Sequence, residues 1–200
     1  MLDLTASATE TIAQALFLII AMSVAGVINA IWLRHPASQR FAVPLDGGAL
    51  FRNKRIFGEN KTLRGIIVIV PAAAFSFWAM SLIRPMYPTW MDDGIWPLSP
   101  IGYGLLGMLA GAAFMMGELP NSFCKRQLDI SPGGKARSPI ARVVQFVVDR
   151  TDSIVALLIA ISFVVPVSLW TWAYAIIFGS IVHLGFSVLL YSLEIKARPG

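Results

Sequence analysis

Two aspartates stand at the start of a long apolar run near the end of the chain. The segment is Asp149-Arg150-Thr151-Asp152-Ser153, and Asp152 is the only formally charged residue between Arg150 and Glu194. Ionised groups are costly at a helix–membrane boundary, so an acid pair around an arginine indicates a metal and phosphate site. On a helix, residues three apart share a face, which lets both carboxylates hold one divalent cation. This segment is the main reason to expect an enzyme.

Mg²⁺ is the cation that such an acid pair favours. It takes one or two carboxylates and completes its shell with water and substrate phosphates. Nearby lysines and arginines suit a nucleoside triphosphate, because phosphoryl and nucleotidyl transfers depend mainly on charge neutralisation and alignment. No covalent nucleophile is required. We do not expect His35 or His183 to be catalytic, since one stands at a helix end and the other lies in an apolar run without an obvious partner.

The composition places these residues on membrane-spanning helices. Of the 200 residues, 56% are hydrophobic and 14% charged, which is more apolar than a soluble domain of this size can bury. A helix needs roughly 20 apolar residues to cross the hydrocarbon core. We therefore predict one membrane domain over residues 1–200, an all-α bundle of five transmembrane helices with two long cytoplasmic loops. The five runs are 11–33, 65–83, 101–116, about 146–165 and 168–193.

The basic residues predict the orientation of this bundle. Apart from Arg84, every lysine and arginine falls in residues 34–64, in residues 117–150 or after residue 194. The positive-inside rule then makes both long loops and the C-terminus cytoplasmic and the N-terminus external, in a multi-pass protein of the cell inner membrane. A tight turn near Val165-Pro166 must join the last two spans. The tryptophans expected to form an aromatic belt at the outer interface are Trp90, Trp96, Trp170 and Trp172.

The net charge of +5 does not identify a partner. Attraction to the anionic headgroups of the lipid bilayer explains scattered basic residues. The loops lack the interleaved aromatic residues of a single-strand binder and any DNA-reading motif, so we expect no nucleic-acid partner.

The first long loop is rich in glycine and basic residues. It contains Pro44-Leu45-Asp46-Gly47-Gly48 and, further on, a run from Gly58 to Gly65 that includes Lys61 and Arg64. Glycines let backbone amides approach an anion closely, and the two bases could then neutralise phosphate oxygens. Ordinary turn chemistry explains the same glycines equally well, so this loop alone does not decide the function.

The second long loop begins where the third predicted span ends. Glu118 stands at that boundary and could be a carboxylate at the edge of the buried region. Ser138 and Pro139 are suited to start a helix as the cap and the first-turn proline. That helix leads into Asp149 and Asp152, and two acids at this depth argue for a water-filled cavity.

These residues resemble a known signature. Gly117-Glu118, the Ser122-Phe123-Cys124-Lys125-Arg126 run, the Gly133-Gly134 turn and the 149–153 segment are similar to the C-terminal signature of phosphatidate cytidylyltransferases. The first-loop motifs, together with five spans in so short a chain, resemble the narrower CDP-archaeol synthase family. The matches lie in residues 44–65 and 117–153.

The resemblance implies that a cytidylyl group passes from CTP to a membrane lipid phosphate, with Mg²⁺ required, giving a CDP-lipid and pyrophosphate. Asp149 and Asp152, with Glu118, would bind the metal. Lys125 and Arg126 would act with the two aspartates in catalysis by binding phosphates. The remaining residues implied to bind the nucleotide or the lipid headgroup are Asp46, Asn60, Lys61, Thr62, Arg64, Ser122, Gly133 and Gly134.

Two positions depart from the family pattern. Gly117-Glu118 stands where the family usually has Gly-Asp, and Asp129 lies closer to Lys125 than the corresponding acid of phosphatidate enzymes. A family member that lost activity through the Asp-to-Glu change stays open, as does a non-catalytic transporter or scaffold, because intramembrane acids also mark ion pathways. The sequence does not support a third alternative, a CDP-alcohol phosphotransferase, because the longer aspartate pattern of that family is missing.

The sequence leaves the lipid tails and the oligomeric state open. The small residues Gly104, Gly107 and Gly111 permit close helix contact either within one chain or between the chains of a homo-oligomer.

Overall fold

Six α-helices, two short 3-10 helices (Pro36–Phe41 and Arg84–Met86) and two small strand pairs are found in the described part of the chain, residues 2–3 and 6–192 of a computed structural model. Each of the five predicted runs lies mainly within one of five long helices, so the all-α membrane bundle is confirmed. The expected cytoplasmic C-terminus and the last residue of the fifth run lie outside the described residues. The elements are β1 (Leu2–Asp3), α1 (Ala8–Arg34), β2 (Leu50–Phe51), β3 (Lys54–Arg55), α2 (Leu63–Leu82), α3 (Thr89–Gly94), α4 (Pro100–Gln127), α5 (Pro139–Ser162), β4 (Val167–Ser168) and α6 (Leu169–Ser192).

Within residues 2–3 and 6–192, four of these helices are long and apolar enough to cross a membrane: α1, α2, α4 and α6. The protein is therefore a multi-pass membrane protein. Helix α5 has a sufficient length of 24 residues, but its first 14 residues carry Arg142, Asp149, Arg150 and Asp152. The prediction that α5 is a fifth span stays a prediction.

Helix α4 is longer than the sequence analysis predicted. It continues through residues 117–126, which were expected to begin a loop, and ends at Gln127. The prediction was wrong because the apolar run stops at Met116, whereas the helix continues with a polar face. Glu118, Asn121 and Lys125 recur at helical spacing on that face, and the next helix covers them.

Serine caps fix where the helices begin. The Ser138 hydroxyl accepts a hydrogen bond from the Ala141 N–H at 3.1 Å, and Pro139 occupies the first turn of α5, as predicted. Ser99 caps α4 in the same way through the Gly102 N–H. At α1, Ser7 and Glu10 exchange hydrogen bonds in a capping box.

The glycines of α4 pack against α2 of the same chain. A Cβ atom at Gly107 would lie 2.5 Å from the Ala73 carbonyl oxygen, and one at Gly111 would lie 2.9 Å from the Ala73 Cβ. Only glycine allows the two backbones to approach this closely. These two residues therefore serve contact within the chain, and they give no support to a homo-oligomer.

Aromatic side chains of α1, α2 and α4 form part of the core of the bundle. The Phe17 ring lies 5.2 Å from the Phe77 ring and 5.1 Å from the Tyr103 ring, measured between centroids. Trp96 joins this core and is only 2% exposed, and its indole N–H donates to the Pro166 carbonyl at 2.7 Å. Trp96 is therefore covered by protein rather than by lipid, which a tryptophan with a buried partner for its N–H tolerates, and its predicted position near the outer interface stays a prediction.

A tight turn joins α5 to α6, as predicted. The Val165 N–H donates to the Ile161 carbonyl at 2.9 Å, and β4 then pairs in parallel with β1. Four uncharged polar side chains meet beside this turn and form what we call the hydroxyl cluster. Its members are Thr11, Gln14, Ser168 and Thr171.

Candidate active site between α4 and α5

Helices α4 and α5 approach closely beside the predicted acid pair. A Cβ atom at Gly117 would lie 2.5 Å from the Ala156 Cβ and 2.8 Å from the Asp152 carbonyl oxygen. Glycine at this position lets the α4 backbone lie directly against α5. Side chains one and two turns further along α4 therefore reach the α5 carboxylates.

Asp149 and Asp152 face the same point, as their spacing predicted. The Asn121 amide nitrogen donates to one oxygen of each carboxylate, at 2.7 Å in both cases. The Lys125 ammonium donates to Asp149 at 2.7 Å, and both side chains of this ion pair are less than one third exposed. The sequence analysis did not assign a role to Asn121, although its spacing from Glu118 and Lys125 would have marked it once α4 was extended.

Glu118 lies on the same face of α4 and pairs with Lys61 from the first loop. The Lys61 ammonium donates to one carboxylate oxygen, and the Ser153 hydroxyl lies 3.3 Å from the other. The fully buried Ser153 also lies 3.3 Å from Asp152 and so connects the two carboxylates. We call the whole group the acid–lysine cluster. It consists of Lys61, Glu118, Asn121, Lys125, Asp149, Asp152 and Ser153.

The first loop is folded around Asp46. Its buried carboxylate accepts hydrogen bonds from the Arg55 guanidinium, at 2.5 Å for the shortest, and from the N–H groups of Gly48, Phe57 and Gly58. The Arg55 guanidinium, aided by these N–H groups and opposed by burial, holds the pKa of the Asp46 carboxyl well below its usual range. Asp46 therefore organises the first loop, and the substrate-binding role predicted for Asp46 stays a prediction.

This loop lies against the end of α4. Gly58 has a φ of +92°, and a Cβ atom there would lie 2.9 Å from the Arg126 guanidinium. The Lys54 ammonium donates at 2.8 Å both to the Gln127 carbonyl and to Asp129. Asn60 is exposed, whereas Thr62 and Arg64 are half-buried at the start of α2. Loop one thereby brings Lys61 to the cluster and places the other predicted residues beside it.

The second loop is anchored to α5 by Gln145. Its amide nitrogen donates to the Gly134 carbonyl at 2.9 Å, and its amide oxygen accepts from the Ala136 N–H at 2.8 Å. A cavity of about 420 Å³ is lined by residues 128–131 and 134–138 and by Ala141. Gly133 adopts a φ of +69° at the turn, and Ser122 is a buried residue of α4. The predicted residues of both loops thus surround one end of the α4–α5 pair.

Arg126 has a buried Nε atom without a hydrogen-bond partner among the described residues. Nearly all buried polar atoms in proteins are paired, so an unpaired one beside two glycine-rich loops indicates where an anion can bind.

The carboxylates suit a cation such as Mg²⁺, although not as a complete protein cage. In the part of the chain that the structure describes, no group of three or more His, Cys, Asp or Glu side chains is arranged to hold a metal ion. Asp149 and Asp152 nevertheless direct one oxygen each at a single nitrogen, and Mg²⁺ needs only one or two carboxylates besides water and phosphate oxygens. Glu118 is held by Lys61 and Ser153, so its role as a metal ligand stays a prediction.

Apolar helices of membrane length around a half-buried cluster of carboxylates and lysines define an integral membrane protein with an enzyme-like site. Residues 10–199 match the family model described as CarS-like, CDP-archaeol synthase, and the chain belongs to this family. The predicted resemblance is therefore confirmed and extends well beyond the two motif regions.

Curated relatives agree with this assignment. A CDP-archaeol synthase of Methanococcus maripaludis is 28% identical over 181 residues, which cover 85% of this chain and 94% of the relative. One of Halobacterium salinarum is 27% identical over 187 residues, which cover 86% and 96%. One of Pyrococcus furiosus is 28% identical over 160 residues, which cover 78% and 83%. No solved structure matches the chain.

Proposed function

We propose that this protein transfers the cytidylyl group of CTP to the phosphate of a membrane lipid. A lipid phosphate oxygen attacks the α-phosphorus of CTP, a new P–O bond forms, and the bond to the oxygen bridging to the β-phosphorus breaks. The products are a CDP-lipid and pyrophosphate. The shared name of the relatives, CDP-archaeol synthase, supports a lipid of the archaeol type as the acceptor.

One observation carries this proposal. The acid–lysine cluster places three half-buried carboxylates and two half-buried lysines between the first loop, α4 and α5, where an unsatisfied charge is costly. A nucleoside triphosphate with a divalent cation supplies both signs of charge and satisfies all of these groups. An ion pathway would not need basic, glycine-containing loops on both sides of the acids.

Asp149 and Asp152 would hold Mg²⁺, and Asn121 orients both carboxylates. When bound, Mg²⁺ neutralises charge that develops on the phosphate oxygens. Lys125 and Arg126 lie near the end of α4, toward the second loop, and would bind the phosphates of CTP. Lys61 pairs with Glu118, about two turns earlier on α4, and its ammonium would bind the phosphate of the lipid there.

The remaining predicted residues would support these contacts. The glycines of the second loop and the unpaired Arg126 Nε atom face incoming phosphate oxygens in this proposal. The positive-inside rule favours a cytoplasmic position for both basic loops, so CTP would enter from the cytoplasm and the lipid from the bilayer. Helix α5 would then be the fifth span, with its acids turned away from the lipid.

The experiment uses purified full-length protein with Mg²⁺, CTP radiolabelled in its α-phosphate, and a panel of lipid phosphates that differ in their tails. We expect the label to enter the lipid fraction while unlabelled pyrophosphate is released. CTP radiolabelled in its γ-phosphate is the matched control and should leave no label in the lipid. Folded protein that labels none of the lipids would contradict the proposal and would favour a transporter or scaffold.

A further inference from the structure

Arg150 stands between the two aspartates of the acid pair, yet within residues 6–192 it forms a salt bridge with neither. Its Nη1 atom donates to the Phe146 carbonyl at 2.8 Å, and its Cζ atom lies 3.4 Å from the centroid of the Phe146 ring. Asp149 pairs instead with Lys125. The guanidinium is thus held in a fixed position by an aromatic ring and a carbonyl group rather than by an acid.

One edge of this guanidinium has the geometry that binds phosphate. The Nε and Nη2 atoms lie side by side on the planar group and can donate parallel hydrogen bonds to two oxygens of one phosphate. The Nε atom of Arg150 is buried and has no hydrogen-bond partner among the described residues. Nearly all buried polar atoms in proteins are paired, so this N–H group indicates a ligand with an acceptor oxygen.

Arg150 is a neighbour of the acid–lysine cluster on α5. Phe146, Arg150 and Ser153 follow one another at spacings of four and three, so they lie along one face of the helix, with Cβ atoms about 5–6 Å apart. Ser153 belongs to the cluster and lies 3.3 Å from both Glu118 and Asp152. The long side chain of Arg150 can therefore contact a phosphate that also reaches the cluster.

An open apolar row of α5 runs past Arg150. Residues seven apart lie on one helix face, and the exposed fraction along this row falls from 78% to 51%, 8% and 0%. Its members are Ile140, Val147, Ile154 and Ile161. Helix α6 approaches the covered part, where the Ser180 hydroxyl lies 3.4 Å from the Arg150 carbonyl oxygen. Arg150 thus lies where the row changes from exposed to buried.

We propose that Arg150 binds the phosphate of the lipid substrate, whose hydrocarbon chains lie along the open apolar row of α5. This inference rests on the proposed function, which makes a lipid phosphate the acceptor. A phosphate monoester carries a charge of about −1.5 to −2 at pH 7. The charge of Lys61 is already balanced by Glu118, so Arg150 supplies the further positive charge that this phosphate needs.

The surroundings of Arg150 suit a lipid better than CTP. The ring of Phe146 and the open row are apolar, and polar groups of a ribose or a base would lose their hydrogen bonds against them. Lys125 and Arg126, which are proposed to bind the phosphates of CTP, lie on α4 instead. The Nε atom of Arg150 is covered by protein, so binding requires the guanidinium to turn over the Phe146 ring.

The test measures both substrates on purified full-length protein. For Arg150→Gln we expect the KM for a dialkylglycerol phosphate to rise roughly 10-fold or more, as for the loss of hydrogen bonds to a charged group, with the KM for CTP unchanged. Arg150→Lys keeps the charge but lacks the planar fork, so it should recover only part of the loss.

The matched control is Arg142→Gln, which removes an exposed arginine of the same helix and should behave as the parent protein. An equal rise of the lipid KM in Arg142→Gln and Arg150→Gln would overturn the inference, because positive charge near the headgroups would then act without a specific site. A raised KM for CTP in Arg150→Gln, with an unchanged lipid KM, would assign this arginine to the nucleotide and also overturn it.

Direct binding separates this inference from the proposed function. Affinity for a radiolabelled dialkylglycerol phosphate and for the matching dialkylglycerol, which lacks the phosphate, can be measured without CTP on variants that elute as folded protein. We expect Arg150→Gln to bind the phosphate lipid roughly 10-fold more weakly and the dialkylglycerol as the parent does. That result supports the inference even if the parent protein forms no CDP-lipid. Equal affinity of parent and variant for the phosphate lipid overturns it even if the parent protein is an active cytidylyltransferase.

Discussion

Polar side chains meet inside the molecule in two regions that differ in charge and in burial: one is buried and neutral, and the other is half-buried and charged. The hydroxyl cluster between α1 and α6 contains four neutral groups, which are hydrogen-bonded mainly to one another at 2.9–3.2 Å. The acid–lysine cluster between the first loop, α4 and α5 contains three carboxylates and two lysines, which leaves one formal negative charge in excess. A neutral cluster whose groups hydrogen-bond to one another is sufficient to hold helices together. A cluster with excess negative charge is instead stabilised by a bound cation.

The largest expected effect tests the charged region. We predict that Asp152→Asn lowers the formation of CDP-lipid roughly 100-fold or more, because a group that stabilises developing charge is lost. Product formation is measured at saturating CTP, and the helix content is measured by circular dichroism. Asp93→Asn, on an exposed acid of α3, is the control and should retain activity. Undiminished turnover of Asp152→Asn would contradict the proposed role of the acid pair in catalysis.

A second prediction concerns Lys125, which lies on the loop side of the same region. Lys125→Ala should raise the KM for CTP roughly 10-fold or more, as expected for a hydrogen bond to a charged group. Lys125→Arg keeps the positive charge and should recover part of the affinity. An unchanged KM for CTP in Lys125→Ala would contradict its phosphate-binding role.

A third prediction tests how the charged region is assembled. In Gly117→Ala, the added Cβ would lie 2.5 Å from Ala156, so α4 and α5 must separate and activity should fall. We expect the free energy of unfolding to drop by about 1–3 kcal/mol, the usual cost of overpacking. The matched control is Gly104→Ala, because its Cβ would lie 3.6 Å from the nearest atom, in ordinary contact. Equal thermal stability and activity of the two variants would contradict the close approach at Gly117.

The smallest effect belongs to the hydroxyl cluster. Thr171→Val removes a hydroxyl that lies 2.9 Å from Ser168 and 3.2 Å from Gln14, and should lower the free energy of unfolding by about 1 kcal/mol. Turnover measured below the unfolding temperature should equal that of the parent protein. A loss of turnover at unchanged stability would mean that the two regions do not differ as proposed.

Much of the site was predictable because its main features are local in sequence. The spacing of Asp149 and Asp152 places them on one helix face, and Ser138 followed by Pro139 marks where that helix begins. The motifs in residues 44–65 and 117–153 indicated the family, which the match over residues 10–199 confirms. Where hydrophobicity was used to end an element, as at Met116, the prediction failed because α4 continues with a polar face.

The sequence by itself determined the five long helices, the acid pair and the family, since hydrophobic periodicity, spacing and motifs are properties of neighbouring residues. Only the tertiary structure decided which groups meet. Lys61 pairs with Glu118 across 57 positions, Asn121 bridges two acids of another helix, and His183 reaches Phe114 on α4. Such pairings depend on the close helix approach at Gly117 and on how the loops fold back, and spacing along one segment contains no information about either.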